Sequence, residues 1–154
     1  MPKITVLIGI YNCAPTLPEA LDSLLAQTCQ DFKIVLCDDG STDDTYSVAK
    51  SYADRYDNIL LISNGVNRGL NYTLNHCLEY ADTEYCARMD GDDISLPTRF
   101  EKELAFLETH PEYAIVSTPM IYFDENGDYR TGRAAENPDK NDFVKGTPIC
   151  HAPC

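Results

Sequence analysis

Basic residues are scarce in this sequence. Its 154 residues include 12 Lys and Arg against 25 Asp and Glu, which gives a formal net charge of -13 and an isoelectric point near 4.4. A chain with this balance repels the phosphate backbone of nucleic acids and the anionic surface of membranes, so we expect no nucleic-acid partner. The same balance predicts that a phosphorylated ligand needs a metal ion or a local Arg.

Several metal- and phosphate-binding patterns are also missing. The 7 Cys include no C-x-x-C pair, which excludes zinc-ribbon and thioredoxin-like sites. Cys37 and Cys86 lie in apolar runs, where a free Cys behaves as a small hydrophobic residue, and this indicates a reducing compartment. Neither G-x-x-x-x-G-K-[ST] nor G-x-G-x-x-G occurs, so no Gly-rich loop of these kinds cradles phosphates.

Long apolar runs are absent too. The first run, residues 4–10, is far too short to cross a bilayer, and no signal peptide precedes it. We therefore expect a cytoplasmic protein. The length and the 44% of hydrophobic residues fit one globular domain with its own core.

What the chain does contain is an alternation of strand-like and helix-like segments. Short runs rich in apolar residues predict strands at 4–10, 32–37, 59–62 and 85–89, and a run with apolar residues at helical spacing follows each. This alternation is typical of βαβ units and a mostly parallel sheet. A fifth strand is predicted at 114–117. Asn-Gly at 126–127 predicts the tip of a hairpin that adds an antiparallel edge.

Helix start signals are visible as well. Thr16 and Glu19 have the spacing of a capping box before the first helix. Hydroxyl residues at 41–42 predict the start of the second helix, and Ser or Pro within 95–97 predicts the start of the fourth.

Polar residues follow each of the four predicted strands. They are Tyr11-Asn12, Asp38-Asp39, Asn67-Arg68 and Asp90-Asp92. In open parallel sheets, ligands bind outside the carboxyl ends of the strands. The sequence therefore predicts that these four loops form one site.

The acidic segment at 88–93 (RMDGDD) is the most concentrated of these signals. One interpretation is a solvated acidic turn that caps the next helix. The other is a divalent metal bound by Asp90 and Asp92, which alternation along an extended segment places on one face. Gly91 between them lets the backbone turn and a ligand approach. Arg88 is expected to temper the repulsion among the carboxylates.

Five stretches together resemble glycosyltransferase family 2, the nucleotide-diphospho-sugar transferases of the GT-A fold. They lie at 5–12, 27–32, 38–43, 67–70 and 88–97, within a resemblance that covers residues 3 to about 123. The resemblance implies an α/β fold with a Rossmann-like, mostly parallel sheet flanked by helices. It also implies metal-dependent, inverting transfer from a nucleotide-diphospho-sugar, with UDP-sugar favoured, to an acceptor hydroxyl. One departure is Gly9, where the family often has Pro.

The resemblance also implies roles for individual residues. Tyr11 would lie against the base, Asp39 would bond its uracil-like edge, and Arg68 would lie near the ribose or phosphates. Mn²⁺ or Mg²⁺ would be held by Asp92 and Asp90. The implied donor-binding residues are Ile10, Tyr11, Asn12, Asp39, Arg68, Asp90 and Gly91.

No carboxylate of the chain matches the general base of the family. The base is therefore expected beyond Cys154. Residues 1–154 are interpreted as a single GT-A domain truncated before the acceptor-binding and catalytic-base segment, and residues 147–154 resemble the start of that segment. The implied acceptor is a glycan or a lipid-linked glycan of polysaccharide biosynthesis, reached at the cytoplasmic face of the inner membrane. A homodimer is a further expectation, through apolar surface left exposed.

Two alternatives stay open. A non-catalytic nucleotide-sugar-binding fragment would keep the fold without turnover. A sugar-phosphate nucleotidyltransferase would need a Gly-rich N-terminal loop with a basic residue. Residues 9–12 (GIYN) are not Gly-rich and include no basic residue.

Overall fold

The computed structural model describes residues 2–124, 126–132, 138–139 and 141–142. The chain divides into two compact units, Met1–Lys102 and Glu103–Cys154. Among the described residues, no helix combines the length and apolar character needed to cross a membrane. The elements in chain order are β1 (Ile4–Ile10), α1 (Leu17–Leu25), β2 (Phe32–Asp38), α2 (Thr45–Ala53), β3 (Ile59–Ser63), α3 (Leu70–Leu78), β4 (Tyr85–Arg88), α4 (Arg99–Thr109), β5 (Ile121–Asp124) and β6 (Gly127–Thr131).

The first four strands form one parallel sheet in the order β3-β2-β1-β4. This confirms the α/β fold and the parallel sheet that the alternation predicts. The central strands β1 and β2 are buried along nearly their whole length, as continuous apolar runs in parallel sheets usually are.

Alternate residues of the central strands point to opposite faces of the sheet. On one face, Val6 and Ile8 of β1 join a core that includes the buried Leu residues of α1 and Ala49 of α2. On the other face, Leu7 and Val35 pack with Cys77 of α3. Helices therefore cover both faces, and the loops that enter them all leave the same edge of the sheet.

The capping box predicted for α1 is wrong. Thr16 does precede the helix, but its side chain caps no helical N–H. Its hydroxyl instead donates to the carbonyl oxygens of Cys13 (3.2 Å) and Gly91 (3.1 Å). The Thr16 hydroxyl therefore connects the start of α1 to the acidic loop after β4 and does not cap the helix.

The predicted start of α2 is also wrong, because the helix begins at Thr45. The amide of Thr45 donates to Asp43 Oδ1 (3.0 Å). Residues 41–42 bond instead to Asn12, whose amide donates to the Ser41 hydroxyl and whose Oδ1 accepts from the Thr42 amide. These hydroxyl residues therefore join the loops after β1 and β2.

The fourth helix begins at Arg99 and not within 95–97. The buried Gln27 side chain explains the difference. Its Nε2 donates to the carbonyl oxygen of Leu96 (2.8 Å), and its Oε1 accepts from the amide of Phe100 (3.1 Å). The side-chain amide of Gln27 thus binds a carbonyl oxygen before the helix and an N–H of its first turn, and residues 95–97 lie outside the helix.

In the second unit, β5 and β6 form the predicted antiparallel hairpin. They make a separate two-stranded sheet, so the expectation that they extend the main sheet is wrong. The strand predicted at 114–117 is wrong as well: Ile115 is 61% exposed and this short run has no strand partner among the described residues. The segment 147–154, where we expected the acceptor-binding part to begin, lies outside the described residues.

Candidate functional site

The loops after the four parallel strands meet at one edge of the sheet, as the sequence predicts. The amide of Asp39 donates to the carbonyl oxygen of Ile10 (2.9 Å), and the amide of Asn64 donates to that of Asp38 (2.9 Å). On the other side, a Cβ placed on Gly91 would lie 3.1 Å from Cγ2 of Ile10. Ile10 therefore lies between the loop that carries Asp39 and the acidic loop.

The Asp39 side chain is buried at this edge, with 4% of its surface exposed. Its Oδ1 accepts from Asn64 Nδ2 (2.7 Å) and from the amide of Arg68 (2.9 Å), and its Oδ2 accepts from the amide of Gly69 (2.8 Å). Burial raises the pKa of Asp39, but these hydrogen bonds outweigh it, so the pKa lies below its ordinary value. Asp39 thus remains an ionised acceptor and fixes the loop between β3 and α3.

A pocket opens beside Asp39. Three of the predicted donor-binding residues, Ile10, Tyr11 and Asp39, line it, and the Tyr11 side chain is 47% exposed. A Cβ at Gly9 would lie 3.1 Å from Leu70 Cδ1. At the position where the family often has Pro, α3 therefore packs closely against β1. The full lining is Gly9, Ile10, Tyr11, Asp39, Asn67, Gly69, Leu70 and Thr73.

Two further predicted residues lie next to the pocket without lining it. The guanidinium of Arg68 lies 3.9 Å from the centroid of the Tyr72 ring, in a cation–π contact that keeps the Arg68 side chain beside α3. Asn12 has a positive φ of 49°, and its Oδ1 accepts from the amide of Thr42 (2.9 Å). The side chain of Asn12 is therefore engaged in joining two loops.

The acidic loop contains carboxylates in different environments. Arg88 pairs with Asp90 at 2.5 Å, as expected, while Asp92 is exposed. Burial, followed by the charges of Asp90 and Asp92, raises the pKa of Asp93, and Arg88 and Arg99 offset this only in part. The loop therefore carries more negative charge than its own cations neutralise.

The donor set of this loop fits a hard divalent cation. Among the described residues, no group of three or more His, Cys, Asp and Glu is arranged to hold a metal. Asp90 and Asp92 would supply two carboxylates, and Mg²⁺ and similar ions in nucleotide sites commonly take one or two protein carboxylates and complete their shell with phosphate oxygens and water. The residues present thus suit a metal that binds together with a diphosphate.

Two residues of this site were missed by the sequence analysis. Neither Asn64 nor Thr73 is among the residues that the sequence patterns single out. Thr73 Oγ1 accepts from Asn64 Nδ2 (2.9 Å) and donates to the carbonyl oxygen of Gly69 (3.0 Å). The available signal was the spacing of Thr73, four residues after Gly69 on the inner face of the helix, where a polar residue needs a partner.

Comparison with known proteins decides the family of this chain. The family model described as Glycosyl transferase family 2 matches residues 5–153. The chain belongs to glycosyltransferase family 2. The resemblance found in the five sequence stretches is thereby confirmed, and the family model extends it well past residue 123.

Curated members of family 2 match nearly the whole chain. The putative glycosyltransferase EpsE of Bacillus subtilis is 48% identical over 151 residues, which are 97% of this chain and 54% of EpsE. The Escherichia coli UDP-Glc:alpha-D-GlcNAc-diphosphoundecaprenol beta-1,3-glucosyltransferase WfaP is 30% identical over 141 residues, 92% of this chain and 54% of WfaP. The chain thus spans about half the length of these family 2 relatives.

Solved glycosyltransferase structures share the fold. Residues 1–349 of S. aureus TarS in complex with UDP superimpose with a TM-score of 0.65 at 28% identity, covering 71% of this chain and 33% of that one. The mannosyltransferase PcManGT from Pyrobaculum calidifontis, in complex with GDP-Man and Mn2+, gives a TM-score of 0.64 at 27% identity, covering 69% and 32%. These neighbours establish the GT-A fold expected for family 2.

Proposed function

We propose that this chain is the donor-binding part of an inverting, metal-dependent glycosyltransferase that uses a nucleotide-diphospho-sugar, with UDP-sugar favoured. The observation that carries the proposal is the placement of the Asp39 pocket and the acidic loop on either side of Ile10, at the edge where open parallel sheets bind ligands. A pocket that suits a base and a loop that suits a metal–diphosphate pair are the two parts that a nucleotide-diphospho-sugar requires.

The pocket supplies the groups for the nucleoside. Asp39 is an ionised acceptor whose Oδ2 receives one protein hydrogen bond, so a further lone pair can accept an N–H from the base. Uracil presents such an N–H. Tyr11, half-exposed at the mouth of the pocket, offers an aromatic face for stacking. The name of the relative WfaP includes UDP-Glc, and this supports the preference for uridine.

The acidic loop supplies the groups for the diphosphate. Asp92 and Asp90 would hold Mn²⁺ or Mg²⁺, which acts as a Lewis acid on the departing diphosphate. Arg68, beside the pocket, would add a positive charge near the diphosphate in a chain whose formal net charge is -13. The complex of the structural neighbour PcManGT with GDP-Man and Mn2+ supports a metal at this site.

The acceptor and the general base are part of the same proposal. An inverting transfer needs a carboxylate to take the proton of the acceptor hydroxyl. Because the chain spans about half the length of its relatives, we assign the base to the other half. The lipid-linked acceptor in the name of WfaP supports a lipid-linked glycan as acceptor, and hence transfer at the cytoplasmic face of the membrane.

The competing function is a non-catalytic nucleotide-sugar-binding protein.

The first test is calorimetric binding of UDP to the chain with and without Mn²⁺. We expect Mn²⁺ to tighten binding by about tenfold or more in the wild type, and we expect Asp92→Asn to remove that gain. The matched control is Asp57→Asn, which makes the same charge change in the exposed turn before β3, at the amino ends of the parallel strands. Equal metal dependence in Asp92→Asn and the wild type would exclude the metal assignment.

A second measurement separates transfer from binding alone. Full-length protein is incubated with UDP-sugars and a lipid-linked acceptor, and sugar incorporation is followed. Binding without transfer or donor hydrolysis would favour the non-catalytic function. If UDP, GDP and dTDP all fail to bind with metal present, the donor site is rejected.

A further inference from the structure

A histidine outside the pocket is connected to Asp39 through one amide side chain. His76 lies in α3, half-buried, and its Nδ1 is 2.7 Å from Asn64 Oδ1. The Nδ2 of the same Asn64 donates to Asp39 Oδ1 at 2.7 Å and to Thr73 Oγ1 at 2.9 Å. One continuous chain of hydrogen bonds therefore runs from His76 to the carboxylate that lines the pocket.

The direction of every bond in this chain is fixed by chemistry. The Asp39 carboxylate only accepts, so the nitrogen of the Asn64 amide must face it. The oxygen of that amide then faces His76, and His76 Nδ1 must carry the proton and donate it. Cys37 Sγ also lies 3.5 Å from Asn64 Oδ1, but a thiol is a weak donor. His76 is therefore the main donor to the oxygen of the Asn64 amide, while Thr73 Oγ1 accepts from its nitrogen, and both contacts hold the orientation that Asp39 requires.

A second path from His76 leads through an aromatic ring to Arg68. Its ring lies between those of Tyr72 and Tyr80, with centroids 6.4 Å and 5.8 Å away. Tyr72 is the residue over which the guanidinium of Arg68 lies. Arg68, Tyr72, His76 and Tyr80 are spaced four apart in the sequence, so their side chains line one face of α3 and of the turns before and after it.

We propose that His76 is a positioning residue for the donor nucleotide. Through Asn64 it orients the Asp39 carboxylate and the loop of Arg68 and Gly69, and through Tyr72 it supports the Arg68 side chain. The inference rests on the proposed function, because it assigns His76 to the nucleotide pocket of that same site. His76 itself does not line the pocket.

Two substitutions separate the two paths. His76→Phe keeps an aromatic ring beside Tyr72 and removes the Nδ1–H donor. His76→Asn keeps a side-chain N–H close to the position of Nδ1 and removes the ring. We expect the hydrogen-bond path to dominate, so His76→Phe should weaken UDP binding in the presence of Mn²⁺ by about fivefold, the usual worth of one neutral hydrogen bond, and His76→Asn should restore most of it. Equal UDP affinity in the wild type and His76→Phe, with both folded, overturns the proposal.

Two ligand-free measurements by NMR keep the inference separate from the proposed function. The His76 ring of the wild type is expected as the tautomer protonated at Nδ1, and a ring protonated only at Nε2 overturns the proposal without any variant. The amide signals of Arg68 and Gly69 are expected to move in His76→Phe and to stay near their wild-type positions in His76→Asn. Unmoved signals in His76→Phe overturn it as well. If no nucleoside diphosphate binds the wild type, the proposed function fails, and these two measurements still decide the role of His76 in orienting Asp39.

Discussion

The Asp39 carboxylate receives hydrogen bonds from Asn64 Nδ2 and from the amides of Arg68 and Gly69. An Asn at this position would turn an NH₂ group toward donors that need an acceptor. We therefore expect Asp39→Asn to lower the free energy of unfolding by about 2 kcal/mol at pH 7, as for other hydrogen bonds to a charged group. Urea unfolding measures this, with Asp57→Asn, exposed and outside the network, as the control.

The effect of Asp39→Asn should depend on pH with a defined sign. The pKa of Asp39 is lowered in the folded chain, because its hydrogen bonds outweigh the effect of burial. Its stabilisation is therefore fully present above the unfolded pKa of about 3.9 and is lost as the pH falls through the folded pKa. The difference in unfolding free energy between wild type and variant should be constant from pH 7 to pH 5 and should shrink toward pH 3. A difference that grows on acidification would contradict the role assigned to the carboxylate.

Among the structural elements, the loops after β2 and β3 pack closely at Gly40. Gly40 has a φ of 72°, and a Cβ there would lie 2.6 Å from the carbonyl carbon of Val66 and 2.7 Å from the amide nitrogen of Asn67. Gly65 offers a matched control, because its φ is 73° but a Cβ there would meet nothing within 4 Å. The two positions thus share the backbone strain and differ only in the collision.

We expect Gly65→Ala to cost about 1 kcal/mol of unfolding free energy, from positive φ alone. Gly40→Ala should cost about 3 kcal/mol, since the backbone of the neighbouring loop must move as well. Only Gly40→Ala should also weaken UDP binding, because Asn67 lines the pocket. Thermal unfolding and calorimetry check both effects. Equal losses at the two glycines would show that the loops do not constrain each other.

The elements themselves were predictable from the sequence, but their starts were not. β1 is a continuous buried apolar run, and such a run is typical of a strand of a parallel sheet that is covered on both faces. Thr16, by contrast, has a capping pattern that local spacing satisfies, yet its hydroxyl bonds to Gly91, 75 residues away. A local pattern carries no information about such a partner. The same limit made the run around Ile115 resemble a strand, since pairing depends on a neighbour that the pattern does not reveal.

The residues of the candidate site also fall into those that sequence patterns reveal and those that they do not. Asp39 could be named in advance as a candidate, because a carboxylate directly after a buried strand is unusual and needs a reason. Asn64 could not, because its spacing within a Gly-containing turn is what any turn shows. Its contacts with Asp39, Thr73 and His76 exist only once β3 and α3 are packed together. Residues that act by holding other residues are therefore the ones that sequence patterns leave out.

At the scale of the whole molecule, the formal net charge of -13 acts on every anion that approaches. A nucleoside diphosphate carries negative charge of its own, so long-range repulsion opposes its encounter with the pocket even though Arg68 lies beside it. Screening weakens this repulsion, since the Debye length falls from about 30 Å at 0.01 M salt to about 8 Å at 0.15 M. Salt should therefore help this chain to bind its ligand, in contrast to sites on basic proteins.

We expect the association rate constant of UDP, measured by stopped flow without divalent metal, to rise about threefold between 0.01 M and 0.15 M NaCl, a modest effect for electrostatic steering. Uridine, which is uncharged, should show no such rise. With Mn²⁺ present the dependence should flatten, because the cation at Asp90 and Asp92 would cancel the charge nearest the diphosphate. An association rate that falls as salt increases would mean that the local field of Arg68 outweighs the global charge, and that UDP needs no metal to approach this site.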